Sequence, residues 1–162
     1  MMVKRPKLKT SSVDEFASIS DGSFFPKTTT DPLVPYGPVK YMAALWMSSI
    51  ARQYPDVRFV TMSPGSTSGT NGGEDLAPLM KFIFTRIDPI LLPLFGLMHK
   101  LEQGAKRYVD ALNDESYKSG VFYGSKAPVL VGPVVDQGTI FADLRNKTFQ
   151  DNANEAIHRF IK

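Results

Sequence analysis

Tyr36 and Lys40 stand four residues apart in "PYGPVKYMAALWM", residues 35–47. A phenol works as a general acid or base only when its ordinary pKa of about 10 is brought toward neutrality. A cation held nearby does this by favouring the phenolate. On a helix, positions i and i+4 share a face, so this spacing lets the ammonium lie beside the phenol. The pair is a candidate acid–base couple. The same spacing also fits an exposed tyrosine and lysine at a helix start, so the surrounding elements must decide.

From Pro38 the apolar residues Val39, Met42, Ala43, Trp46, Met47 and Ile50 recur at spacings of three and four. This predicts a helix over 38–53 with one broad apolar face. Pro38 fits its first turn, where a missing N–H costs nothing. "YPDVRFVTM" then turns into a strand over 57–62, and "SPGSTSGTNGG" is the loop beyond it. In open parallel sheets, ligands bind beyond the C-terminal ends of strands. Residues 75–98 read as short, Pro-punctuated helices. "LEQGAKRYVDALND", residues 101–114, predicts a helix with Ala105, Tyr108, Val109 and Leu112 on one face. "SGVFYGSKAPVLVG" supplies one or two strands, and residues 148–162 a closing amphipathic helix. Residues 1–35, rich in Ser, Thr, Asp and Pro, show no sustained period and read as an irregular, insertion-like segment.

A Tyr-x-x-x-Lys helix followed by a strand and then Ser-Pro-Gly resembles the short-chain dehydrogenase/reductase family. The matching positions are Tyr36, Lys40, Pro64 and Gly65, with 28 residues (64 − 36) between Tyr and Pro. "KLEQGAKRYVDALND" followed by "SGVFYGS" is similar to the family's late segment, and the likeness runs over about 35–124. The resemblance implies an α/β fold, the C-terminal part of a Rossmann-like doubly wound parallel sheet, incomplete here. It implies a catalytic and substrate-binding half over 36–162. It implies NAD or NADP as cofactor and interconversion of a carbonyl and an alcohol. Tyr36 would exchange a proton with the substrate oxygen, and Lys40 would tune that tyrosine and hold the ribose. Pro64 and Gly65 would face the nicotinamide, with Thr67 and Thr70 as the hydroxyls that meet its carboxamide. The segment 76–98 would be a substrate lid, implying an apolar or bulky substrate; ordinary helix packing is the alternative.

The family opens with strand, Gly-rich turn and helix, whose glycines let a pyrophosphate approach the backbone. No such turn occurs here, and "GTNGG" follows a late strand without a helix pattern or a Lys-Ser/Thr behind it. Ser23, 13 residues before Tyr36, is one candidate for the family's catalytic serine. The other expectation is that the serine-bearing strand lies upstream of Met1 and that the chain is inactive alone. A rival reading from a different class is a non-catalytic fragment that docks through the helix at 38–53.

The remaining composition narrows the classes. With no cysteine there is no disulfide framework, thiolate nucleophile or cysteine-bound zinc, which fits the cytoplasm. His99 and His158 are 59 positions apart and read as surface or half-buried side chains, not metal ligands. The net charge is +3, and the basic tip Lys4, Arg5, Lys7, Lys9 has no interleaved aromatic residues, so nucleic acid is not an expected partner. The expected partners are a small apolar carbonyl or alcohol and a second copy or a dinucleotide-binding half. The most apolar stretch, residues 87–99, is too short to span a bilayer and contains two prolines. A minor reading lays residues 87–98 on a membrane surface.

Overall fold

A computed structural model describes residues 6–31, 33–67, 81–87, 91–92, 97–126 and 129–161. Among them are four α-helices, α1 (Val13–Ser20), α2 (Leu33–Gln53), α3 (Leu101–Asn113) and α4 (Lys147–His158). Three short strands, β1 (Val60–Met62), β2 (Val121–Ser125) and β3 (Val134–Asp136), form a sheet in that order. The Gly120 N–H bonds Phe59 O and the Ser63 N–H bonds Tyr123 O. Partners thus advance together and β1 and β2 run parallel. Between β2 and β3 the chain turns back, with the Lys126 N–H bonding Pro133 O. The protein is α/β as expected, but its sheet is mixed where a wholly parallel one was predicted.

The chain divides into two compact units. One holds residues up to 61, 117–122 and 136 onward, and contains α1, α2 and α4. Its core is Phe16, Ile19, Tyr41, Met42, Ala44, Leu45, Leu144, Ala153 and Ala156. Here two expectations are corrected. The segment 1–35 carries α1, whose Phe16 and Ile19 lie in that core. The helix predicted from Pro38 begins at Leu33, so Pro38 falls in its second turn and removes the N–H that would bond the Val34 carbonyl.

The buried face of α2 also differs from the predicted stripe. Tyr41, Met42, Ala44, Leu45, Ser48, Ser49 and Ala51 are buried, while Val39 is exposed and Trp46, Met47 and Ile50 are half-buried. Two serines account for the rotation. Ser48 Oγ donates to Gly120 O at 2.7 Å, and Ser49 Oγ donates to Asp151 Oδ1 at 2.8 Å. A purely apolar count of periodicity passes over such satisfied hydroxyls.

The other unit holds residues 62–116 and 123–135, and contains α3. The helix expected over 101–114 is present, but the face it buries is not the apolar one. Gly104, Arg107 and Ala111 are buried, whereas Tyr108, Val109 and Leu112 are exposed, Leu112 to 75%. Met98 is buried. Of the segment read as a lid, Ile83–Ile87 winds as a π-helical turn, and residues 68–80, 88–90 and 93–96 lie outside the described residues. Among the described residues no helix is long and apolar enough to cross a membrane.

Candidate functional site

Tyr36 and Lys40 share one face of α2, as their spacing requires. Lys40 Nζ stands 5.5 Å from the centre of the Tyr36 ring, within the reach of a cation–π contact. Tyr36 is 49% exposed and Lys40 is also exposed, so the phenol is open to an incoming molecule. Nearby in sequence, an open cleft of about 510 Å³ is lined by Asp21, Ser23, Phe25, Lys27, Thr30 and Pro35 among others. Ser23 lies in the turn after α1, its N–H bonded to Asp21 Oδ1 at 2.8 Å, and not at the end of a strand.

Pro64, Gly65 and Thr67 belong to the other unit; Thr70 lies outside the described residues. They form a turn directly beyond β1. Gly65 has φ +78°, a backbone that disfavours any side chain. Space forbids one as well. A Cβ there would meet Leu130 O at 2.6 Å and Arg107 Nη1 at 2.9 Å. Thr67 is half-buried, and its hydroxyl reaches the Pro64 carbonyl at 3.4 Å. A Cβ on Gly104 would come within 2.5 Å of Thr67 Oγ1, so the glycine lets the threonine rest on the α3 backbone.

The residue that organises this turn escaped the sequence reading. Arg107 is 7% exposed. Its Nη1 donates to Ser63 O at 3.3 Å and Ser125 Oγ at 2.9 Å. Its Nη2 donates to Gly132 O at 2.8 Å and lies 2.8 Å from His99 Nε2. Arginine only donates, so His99 accepts at Nε2 and is neutral. Burial, then the charge of Arg107, hold the imidazole below its ordinary value, against a hydrogen bond with Gln103. The His99 N–H in turn bonds Ser66 O at 2.7 Å, and His99 pairs with Thr67 in an isolated parallel bridge. The legible signal was an arginine between Gly104 and Ala111 on one helix face.

A dinucleotide needs a cradle for its pyrophosphate, and the loop just ahead of α1 is not one. The Glu15 carboxylate accepts the N–H groups of Lys9, Thr10 and Ser11 at 2.7, 2.8 and 2.7 Å, so those donors are already committed. The loop ahead of α1 is therefore not free to cradle a pyrophosphate. The described residues contain no group of three or more ligating side chains placed to hold a metal. His158 is exposed, with Nδ1 2.8 Å from Asn154 O. No family model matches the chain, and neither a curated protein nor a solved structure matches it.

Proposed function

We propose that this chain is the catalytic and substrate-binding half of a short-chain NAD(P)-dependent oxidoreductase, acting on a small apolar carbonyl or alcohol in the cytoplasm. The observation that carries the reading is Tyr36 and Lys40 on one face of α2, with β1 and then a Pro64–Gly65 turn following in order. Tyr36 supplies or accepts the proton at the substrate oxygen. Lys40, beside the ring, would be its electrostatic partner and hold the ribose. The fold would be the late part of a Rossmann-like sheet, which the parallel β1/β2 pair supports. Pro64, Gly65, Thr67 and Thr70 would border the nicotinamide. The pyrophosphate would be held by a separate dinucleotide-binding half, since the chain carries no Gly-rich strand–turn–helix of the family's kind.

The test is a titration with NADPH and NADH, followed by nicotinamide fluorescence and thermal melting. It is run on the chain alone and with the separately produced strand–Gly-turn–helix half of a short-chain reductase. Ketone-dependent NADPH oxidation in the mixture that Tyr36→Phe removes is the expected result. A chain that melts cooperatively yet never binds or oxidises NADPH in either setting overturns it.

A second reading has its own observation. Val39 is exposed and Trp46, Met47 and Ile50 are half-buried, so the predicted apolar stripe of α2 is incompletely covered. That supports a non-catalytic fragment docking through residues 38–53. Self-association in solution that Val39→Asp abolishes, without NADPH binding, would favour it.

A further inference from the structure

The 63–67 turn is fastened from one side by a single cation. Arg107 reaches the turn through Ser63 O, and a Cβ on Gly65 would stand 2.9 Å from its Nη1. The opposite half of the guanidinium is held by Gly132 O and His99 Nε2. The His99 backbone fastens the far end of the same turn, its amide N–H donating to Ser66 O and its strand-like pairing meeting Thr67. The Arg107 side chain thus holds one end of the turn and the His99 backbone the other, and the imidazole joins the two through its contact with Arg107.

We propose that Arg107, through neutral His99, is the positioning residue of the Pro64–Gly65 turn, and that the pair is a latch released when His99 takes up a proton. Its use in catalysis rests on the oxidoreductase reading above; the latch itself does not. The chemistry is direct. A protonated imidazole has no lone pair at Nε2, so the 2.8 Å hydrogen bond becomes a contact between two donors and two like charges. Arg107 from α3 is the charged group that faces His99 among the described residues, with Gln103 from the same helix. Among the described residues, the 63–67 turn and the Ser125, Leu130 and Gly132 side present hydroxyls and carbonyls, and Lys100 follows in the chain.

The sign follows from the depressed imidazole. A histidine that must be neutral in the fold contributes fully above its ordinary 6.5. That contribution is lost as pH falls through the lower folded value. Exchange protection of the His99 amide, bonded to Ser66, should therefore fall at least about tenfold on acidification.

The experiment follows the backbone amides of Gly65, Ser66, Thr67 and His99 by NMR from pH 8 to pH 5 in the full chain. Expected is one shared titration curve with the His99 imidazole midpoint below its ordinary value. His99→Gln keeps an uncharged acceptor, so protection at pH 7 should persist and the acid transition of the turn should vanish. Arg107→Lys loses the fork and should loosen the turn about tenfold at pH 7 while the chain still melts cooperatively. Turn amides that stay fixed while His99 titrates would overturn the latch. So would a His99→Gln chain with the wild-type acid transition. Absence of NADPH binding with the turn titrating as described removes the oxidoreductase reading alone.

Discussion

The Glu15 carboxylate accepts the backbone N–H of Ser11 at 2.7 Å, at a residue held with φ +53°. Left-handed backbone at a non-glycine is sparsely populated, so something must hold it. Glu15 does so while its own N–H bonds Ser12 Oγ at 3.3 Å, the outward half of a capping arrangement. Burial alone would raise the Glu15 carboxyl, but the N–H groups of Lys9, Thr10 and Ser11 and the Thr10 hydroxyl outweigh it and hold it below the usual value. Stability from this carboxylate is present above its ordinary 4.5 and lost as pH falls through the lower folded value. Glu15→Gln should cost about 1–2 kcal/mol at neutral pH. Urea melts at pH 7 and pH 3.5 check this: the variant should lose less stability between them than the parent.

Phe16 bears on whether the first 35 residues are an insertion. It is fully buried against α2 and α4 residues. Phe16→Ala should cost about 3–5 kcal/mol, a large share of the total stability of a small protein. Chemical denaturation measures it. A loss under about 1 kcal/mol would return this segment to dispensable status.

Why α1 was illegible and α2 legible is a matter of length and of what the signals count. Over α2 the apolar spacing persists for several turns, so existence and approximate end came through. Its start did not, because Pro35 and Pro38 read as a boundary whereas the helix runs through both. Over α1 only two buried apolar residues, Phe16 and Ile19, mark the face, too few for periodicity to detect. Its signal was local: Ser12-x-x-Glu15 ahead of Phe16 is a capping-box pattern. In α3 the apolar residues were counted, but what lies against the 63–67 turn is Gly104 and the Arg107 guanidinium. Arg107 is there because it satisfies carbonyls that an apolar side chain would leave unpaired. The Tyr36–Lys40 juxtaposition was readable because i and i+4 fix it without any tertiary knowledge. The Arg107–His99 contact joins two elements, and no spacing rule anticipates it.

Tyr36 and Lys40 are exposed, which separates their chemistry from the scaffold. Tyr36→Phe and Lys40→Ala should each leave stability within about 0.5 kcal/mol of the parent. In the complemented reductase assay, Tyr36→Phe should slow turnover by about 10²–10⁴-fold, the usual contribution of a positioned acid. Stability and turnover measured on the same preparations decide it. A turnover loss matched by an equal stability loss would assign the pair to the scaffold instead.

Gly104 and Thr67 offer a test of the turn that is independent of pH. In an open helix, Gly→Ala gains up to about 1 kcal/mol from backbone entropy. Here the added methyl would stand 2.5 Å from Thr67 Oγ1 and 2.8 Å from Thr67 Cγ2. The threonine must move, and overpacking of this kind costs about 1–3 kcal/mol, so the clash outweighs the propensity gain. Gly104→Ala should therefore destabilise. Thr67→Ala removes both offending atoms and leaves only Cβ, 3.3 Å away. The double variant should recover most of the loss, giving a coupling of about 1 kcal/mol or more in a double-mutant cycle of urea melts. If the two substitutions simply add, Thr67 does not rest on α3 and the turn is held by Arg107 and His99 without it.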